Sequence, residues 1–321
     1  MEIISNCTQD DIKKAAKALK AGHLVAFPTE TVYGLGADAT NERAVGRIYS
    51  VKGRPSDHPL IVHVSSIHLV DKWAVNIPEY AMKLATQFWP GPMTLVLKRS
   101  ELAKNFITGN QDSIGVRAPN HTIASSLLKE FELLGGFGVV APSANRFGAV
   151  SPTSAPAVNQ ELGGKLIRGD LILDGGPSAV GVESTILDCT STLPRILRPG
   201  VITRLMIEEC LGLPLSTVQN KISPKFSGSH KSHYAPKARV LLNSLPSLGD
   251  GLIALSEIET PKGVIRLASP KNSIEYAQCL YEALRDGDNK NLSRIIAILP
   301  EGYGIEVAIK DRLIKASSKS D

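Results

Sequence analysis

The sequence predicts an α/β protein: a larger lobe of roughly 200 residues followed by a smaller α/β lobe of roughly 80. Three observations carry this. Strand-like apolar runs alternate with amphipathic helical runs along the whole chain. The composition shifts after Gly212, because Leu211 to Gly249 contains no Asp or Glu. The 321 residues are 43% hydrophobic and 21% charged, ordinary globular values that exclude a disordered, collagen-like or coiled-coil chain.

In chain order, Thr8 to Ala21 reads as a first helix, with Thr8 able to cap it, Asp11 three residues on and Gly22 as the stop. Strands follow at 24–27, 60–64, 94–97 and 113–117, and helices at 41–51, 77–88 and 122–131, each drawn from its apolar spacing. Strands at 171–173 and 185–188 and a helix at 203–211 close the first lobe, residues 1–213. Residues 214–239 read as a linker, exposed over about 214–237, with Pro, Ser, Gly and cations but no acid. The second lobe, 240–321, shows strands at 240–242, 252–255, 264–267 and 295–299 and helices at 274–285 and 305–316. That alternation is Rossmann-like, yet no GxGxxG supports a dinucleotide site there.

Lys plus Arg is 36 against 31 Asp plus Glu, a net charge of +5. The excess permits an anionic ligand or RNA without demanding either. No apolar run nears the roughly 18 residues that span a bilayer, and the start lacks a basic region followed by an apolar one. Cys7, Cys189, Cys210 and Cys279 are scattered, so neither a disulfide framework nor a zinc cluster is expected. A reduced, cytoplasmic protein is the expectation.

Chemistry-bearing residues collect where strands end. In Phe27–Gly36 two threonines lie two apart. If that segment is extended, Thr29 and Thr31 face one way and Glu30 and Val32 the other, while Gly34 and Gly36 admit a ligand close to the backbone. A Thr-rich strand end with a glycine turn fits equally. Lys52 and Arg54 flank Gly53, and Pro55 keeps Arg54 extended; two such cations suit an anion between them, though alone they read as a solvated helix end. His63, in an apolar strand, reads by itself as structural. Arg117 and Arg198 each close a strand before a proline, and Ser143 and Asn145 pair a hydroxyl with a carboxamide after Val139–Pro142. His230 and His233 lack a third metal ligand in sequence, so the segment reads as an anion-facing flap. P-loop, GxSxG and HExxH motifs are all missing.

As an ordered set, PTETVYGLG, KGRP, PLIVHV, WPGPMTLVLK, GVRAP, APSAN, SPT, GVESTI and LRPG resemble the YrdC-domain family, densely over residues 8–240. HYAPKA and the added second lobe are similar to that family's two-domain threonylcarbamoyl-AMP synthases. The resemblance implies a twisted mixed sheet with a concave basic cleft. It implies a nucleotidyltransferase that makes threonylcarbamoyl-AMP and pyrophosphate from L-threonine, bicarbonate and ATP, with Mg²⁺ on the phosphates and no protein-ligated metal. The product would pass to a tRNA threonylcarbamoyl transferase complex acting on ANN-decoding tRNAs, with weak tRNA contact and no membrane.

By the family's pattern, Thr31, His63, Arg117, Ala141 and Ser184 form the threonine site. Lys52, Arg54, His58, Ser113, Ser143, Asn145, Arg198 and Tyr234 face ATP, Lys52 and Arg54 acting catalytically by charge. His58 stands where many relatives carry Asn, and Ala149 where some carry Arg, with Arg146 the nearest substitute. The linker would form a lid. Two competing readings are an RNA-binding module gripping with the same cations, although only 5% of the chain is aromatic for base stacking, and a carbamoyl-phosphate-dependent adenylating enzyme, whose zinc part these cysteines do not provide.

Overall fold

A computed structural model of the chain describes residues 1–216, 224–226, 228 and 233–318. Its strands are β1 Glu2–Ile4, β2 Val25–Phe27, β3 Gly34–Asp38, β4 Ile61–His63, β5 Met93–Lys98, β6 Ser113–Arg117, β7 Val139–Val140, β8 Leu171–Leu173, β9 Thr185–Asp188 and β10 Arg195–Arg198, followed by β11 Arg239–Leu242, β12 Gly251–Ile253, β13 Ile265–Ala268 and β14 Arg294–Ala297. The first ten form one mixed sheet in the order β1-β8-β2-β3-β7-β4-β6-β5-β9-β10, and the last four a parallel sheet, β11-β14-β12-β13.

Each predicted strand forms within about two residues of its expected limits. β1 and β3 were not expected. β3 reads Gly-Leu-Gly-Ala-Asp, without the β-branched residues that announce a strand, and forms because Phe27, Val25 and Val139 pair with it across the sheet. There Gly34 and Gly36 serve packing and not ligand approach. A Cβ on Gly36 would lie 2.8 Å from the Phe27 ring and 2.9 Å from Val139, and one on Gly34 would lie 3.0 Å from Ala141 Cβ.

The first helix, Gln9–Lys20, has the expected capping box, Thr8 and Asp11 bonding each other's backbone. Its apolar stripe, Ile12, Ala15, Ala16 and Leu19, packs with Leu127, Leu128 and Phe131 of the helix Thr122–Leu133. Each fully buried leucine there contributes about 1.5–3 kcal/mol. The main core lies on the opposite side of the sheet, around Trp73, Val62, Leu95 and Val116.

In the small sheet, helices Ser273–Asn289 and Glu306–Ser317 share a cluster with Val240, Ile253, Ile295 and Ala297. The other face, Leu252, Ala254 and Ile296, is covered by Ile258 and Val264 of a loop. The helical cluster also takes in Val32, Val150, Val182 and Tyr234, so the small lobe packs its apolar face onto the large one. Leu215, His233 and Tyr234 are buried as well, so the predicted linker is not exposed throughout: these side chains pack into the lobes while Pro214, Lys237 and Arg239 remain exposed. Residues 217–223, 227 and 229–232 of the predicted lid, His230 among them, lie outside the described residues.

Candidate active site

β4, β6, β5 and β9 lie side by side, with Ile61 opposite Gly115, His63 opposite Arg117, Val96 opposite Gly115 and Thr94 opposite Ile186. Strand alternation sends Val62, Ile114, Val116, Leu95 and Leu187 into the main core. The same period puts His63, Gly115, Arg117, Thr94 and Ile186 on the other face, with Ser184 just ahead of β9. His233 and Tyr234 close one end of that face, and Lys225 and Phe226 cover the other.

The segment between β2 and β3 bends at residues 30–32 and is not extended there. The Thr29 and Thr31 hydroxyls meet at 2.8 Å, and Thr29 Oγ1 donates to the Val32 carbonyl at 2.6 Å. The bend also overturns the expected separation of Glu30. Arg117 donates to Thr31 Oγ1 at 3.0 Å and to the Gly91 carbonyl at 3.2 Å, and pairs with Glu30 at 2.8 Å. All three groups are buried, so Arg117 is held in place and partly neutralised before any ligand arrives.

The helix Glu42–Lys52 ends at Gly53, whose φ of 64° lets the chain turn back. Lys52 is 3% exposed and Arg54 6%, which corrects the solvated-end reading. Lys52 Nζ donates to the carbonyls of Ser143 and Asn145, each at 2.5 Å. Arg54 donates to the Pro59 carbonyl at 2.9 Å and lies over the Phe147 ring. The Asn145 amide nitrogen donates to the Arg146 and Ala149 carbonyls, shaping its own loop. Arg146 pairs with Glu161 and is thereby turned to another use than replacing a cation at Ala149.

Beyond Arg117, Ser184 Oγ meets Thr94 Oγ1 at 2.8 Å, and Arg198 donates to the Ser184 carbonyl at 2.9 Å and hydroxyl at 3.1 Å. Glu183 accepts from Ser151, Tyr281 and Arg312. Tyr234, with φ at 61°, stacks on Tyr281 and lies beneath the Arg312 guanidinium. His233 stands edge-on to Phe147.

One cleft is thus lined by Thr31, His63, Arg117, Ala141, Ser143, Ser184, Arg198 and Tyr234, with His233 and Glu183. Lys52, Arg54 and Asn145 stand behind its Ser143 edge. His58 is apart, its ring against Phe147, and Ser113 lines a neighbouring apolar hollow with Val96, Ile186 and Phe226. Two carboxylates, Glu30 and Glu183, stand among the cations of the expected basic cleft. Sequence reasoning did not assign roles to Glu30, Glu183, Thr94 or Arg312, and took His233 only as part of an anion-facing flap. The first two sit inside quoted motifs, whereas Arg312 is one cation on an amphipathic helix and gave no signal.

Burial sets the protonation states here. His63 is pushed down to about 3 by burial and then by the Arg117 charge. His233 is pushed to about 3 by burial against the opposing pull of Glu183. Both are neutral at pH 7. Burial and neighbouring Arg54 hold Lys52 well below its usual value. Burial would raise Glu183, but Arg312 and Arg198 outweigh it and bring the carboxyl down to about 2. A site with buried guanidiniums, a destabilised ammonium and hydroxyls on a sheet face can accept anions and an amino acid's polar groups.

Residues 17–200 match a family described as Telomere recombination, the Sua5/YciO/YrdC group. Residues 202–318 match one described as Threonylcarbamoyl-AMP synthase, C-terminal domain. A Threonylcarbamoyl-AMP synthase of Pyrococcus abyssi is 41% identical over 325 residues, covering 95% of this chain and 94% of that one. One of Bacillus subtilis is 38% identical over 330 residues, covering 95% and 92%. The crystal structure of P. abyssi Sua5 complexed with L-threonine superposes with a TM-score of 0.87 at 38% identity, covering 98% of this chain and 97% of that one.

Proposed function

The chain belongs to the Sua5/YciO/YrdC family in its two-domain, threonylcarbamoyl-AMP synthase form, and from that premise we propose that it is a nucleotidyltransferase joining L-threonine, bicarbonate and ATP into threonylcarbamoyl-AMP. The observation that carries the reading is the convergence of Thr31, His63, Arg117, Ser143, Ser184 and Arg198 on one cleft, in a fold shared with a relative solved with L-threonine.

The threonine amine attacks the bicarbonate carbon, and water leaves as the carbamate forms. A carbamate oxygen then attacks the α-phosphorus, and the bond to pyrophosphate breaks. No protein nucleophile is needed. The residues hold like-charged reactants in line and offset their repulsion. Arg117 receives the threonine carboxylate, with Thr31, Ser184, neutral His63 and the Ala141 backbone around the rest of the amino acid. Lys52, Arg54 and Arg198 meet the phosphates, Ser143 and Asn145 frame them, and Tyr234 stands on the nucleotide side, whereas the expected contributions of His58 and Ser113 find no place in the cleft.

Mg²⁺ enters on the triphosphate and supplies further charge neutralisation. The two carboxylates of the cleft, Glu30 and Glu183, are already engaged by Arg117 and Arg312, and among the described residues no group of three His, Cys, Asp or Glu could hold a metal. The cleft leaves about 40 Å³ of open space, far below the several hundred that a nucleotide-sized ligand fills. His233 and Tyr234 therefore withdraw as ATP enters and return to exclude water from the mixed anhydride. The same reading places the protein in the cytoplasm, handing its product to a tRNA threonylcarbamoyl transferase complex; none of the described helices is long and apolar enough to cross a membrane. The test is pyrophosphate release: it should require threonine and bicarbonate together, and ATP turnover indifferent to threonine refutes the reading.

A further inference from the structure

Two side chains of the small lobe, Tyr281 and Arg312, reach the cleft at Glu183, and of these Arg312 makes the most contacts with the segments beside it. Arg312 stands on the last helix, yet it is 1% exposed and its guanidinium enters the large lobe. Nε donates to Glu183 Oε2 at 2.8 Å, one terminal nitrogen to the Pro199 carbonyl at 2.9 Å, and the other to the Glu183 carbonyl at 3.4 Å. Glu183 immediately precedes Ser184, and Pro199 immediately follows Arg198. Arg198 in turn grips the Ser184 carbonyl and hydroxyl. The two segments lie so close that a Cβ on Gly200 would sit 2.4 Å from the Thr185 nitrogen. A planar fork can satisfy three acceptors at fixed angles, which a lysine ammonium cannot reproduce.

We propose that Arg312 is a positioning residue: by clasping Glu183 and Pro199 together it aims Ser184 and Arg198 at the substrates, making the small lobe a working part of the active site. The inference rests on reading the cleft as the site of adenylation. A second cross-brace provides the control. Arg285, also from the small lobe, bonds Glu161 at 2.9 Å and the Val150 carbonyl, and neither partner lines the cleft.

The experiment compares full-length Arg312→Gln, Arg312→Lys and Arg285→Gln proteins with the parent, for pyrophosphate release and melting temperature. Arg312→Gln should lose roughly 10- to 100-fold in kcat/KM for both ATP and threonine, the scale of losing charge-assisted hydrogen bonds. Arg312→Lys keeps a charge beside Glu183 and so preserves the fold, yet should remain about 10-fold impaired because the fork is gone. Arg285→Gln should lower the melting temperature while its kinetics stay close to the parent's. Parent-like kinetics in Arg312→Lys, or equal losses in Arg285→Gln and Arg312→Lys, overturn the proposal. A parent that releases no pyrophosphate dependent on threonine and bicarbonate brings down the functional reading and this inference together. A normal parent with a normal Arg312→Lys removes the inference alone.

Discussion

Mild acid should destabilise this protein well before its carboxylates begin to titrate, because two imidazoles are buried without protons. His63 faces Arg117, and His233 faces Lys52, Arg54 and Arg198 as well as Glu183. Each folded-state pKa lies near 3 against the ordinary histidine value of 6.5. A depressed folded pKa means that stability is complete above the unfolded value and is lost as pH falls below it, since only the unfolded chain takes up the proton. At pH 5 each histidine therefore costs about 2 kcal/mol relative to pH 7.5, and the two together about 4 kcal/mol. That is a large share of the roughly 5–15 kcal/mol typical of folded domains. Glu183 does not blur the window: with its folded pKa near 2 against 4.5 unfolded, its contribution is lost only below about pH 4.5. Urea unfolding at half-unit steps from pH 7.5 to 5 reads the slope. His63→Gln and His233→Gln should each reduce the fall over that range by about 2 kcal/mol. A flat wild-type profile, or variant profiles parallel to the wild type, would refute the protonation states on which the site's electrostatics are built.

Arg54→Ala should raise KM for ATP by roughly 10- to 100-fold, and Thr31→Ala should raise KM for threonine by about 10-fold; either variant affecting both substrates equally would defeat the partition of the cleft. Lys52→Met should weaken ATP binding by roughly 10- to 100-fold while threonine binding stays near the parent's. Calorimetric titration with each substrate reads both affinities, and a parent-like ATP affinity would count against Lys52 as a phosphate ligand. Gly36→Ala should destabilise by about 1–3 kcal/mol through contact with Phe27 and Val139, with KM values unchanged. A normal stability with altered KM would restore the reading of Gly36 as a ligand-approach glycine.

Much of the fold was legible because burial imposes periods on the sequence. The capping box at Thr8 and Asp11, the strand Ser113–Arg117 and the helix Glu42–Lys52 each follow from local chemistry that the tertiary structure leaves intact. β3 was illegible because its small residues are chosen by the Phe27 ring opposite, not by strand propensity. The cleft was legible in part. Its residues fall at strand ends, where a period of two and a following proline mark a side chain's direction. Arg117 before Pro119 and Arg198 before Pro199 could be picked out on that ground.

By itself the sequence determined the elements, their capping, and the set of polar groups that strand ends would offer, since these depend on neighbours a few residues away. Only the tertiary structure decided the pairings. Glu30 meets Arg117 through a bend that linear spacing does not record. Lys52 is buried because a loop 91 positions later supplies its acceptor, and Glu183 waits for Arg312, 129 positions on. Charges separated that far along the chain are matched by chain topology, and topology is fixed by which apolar faces cover one another.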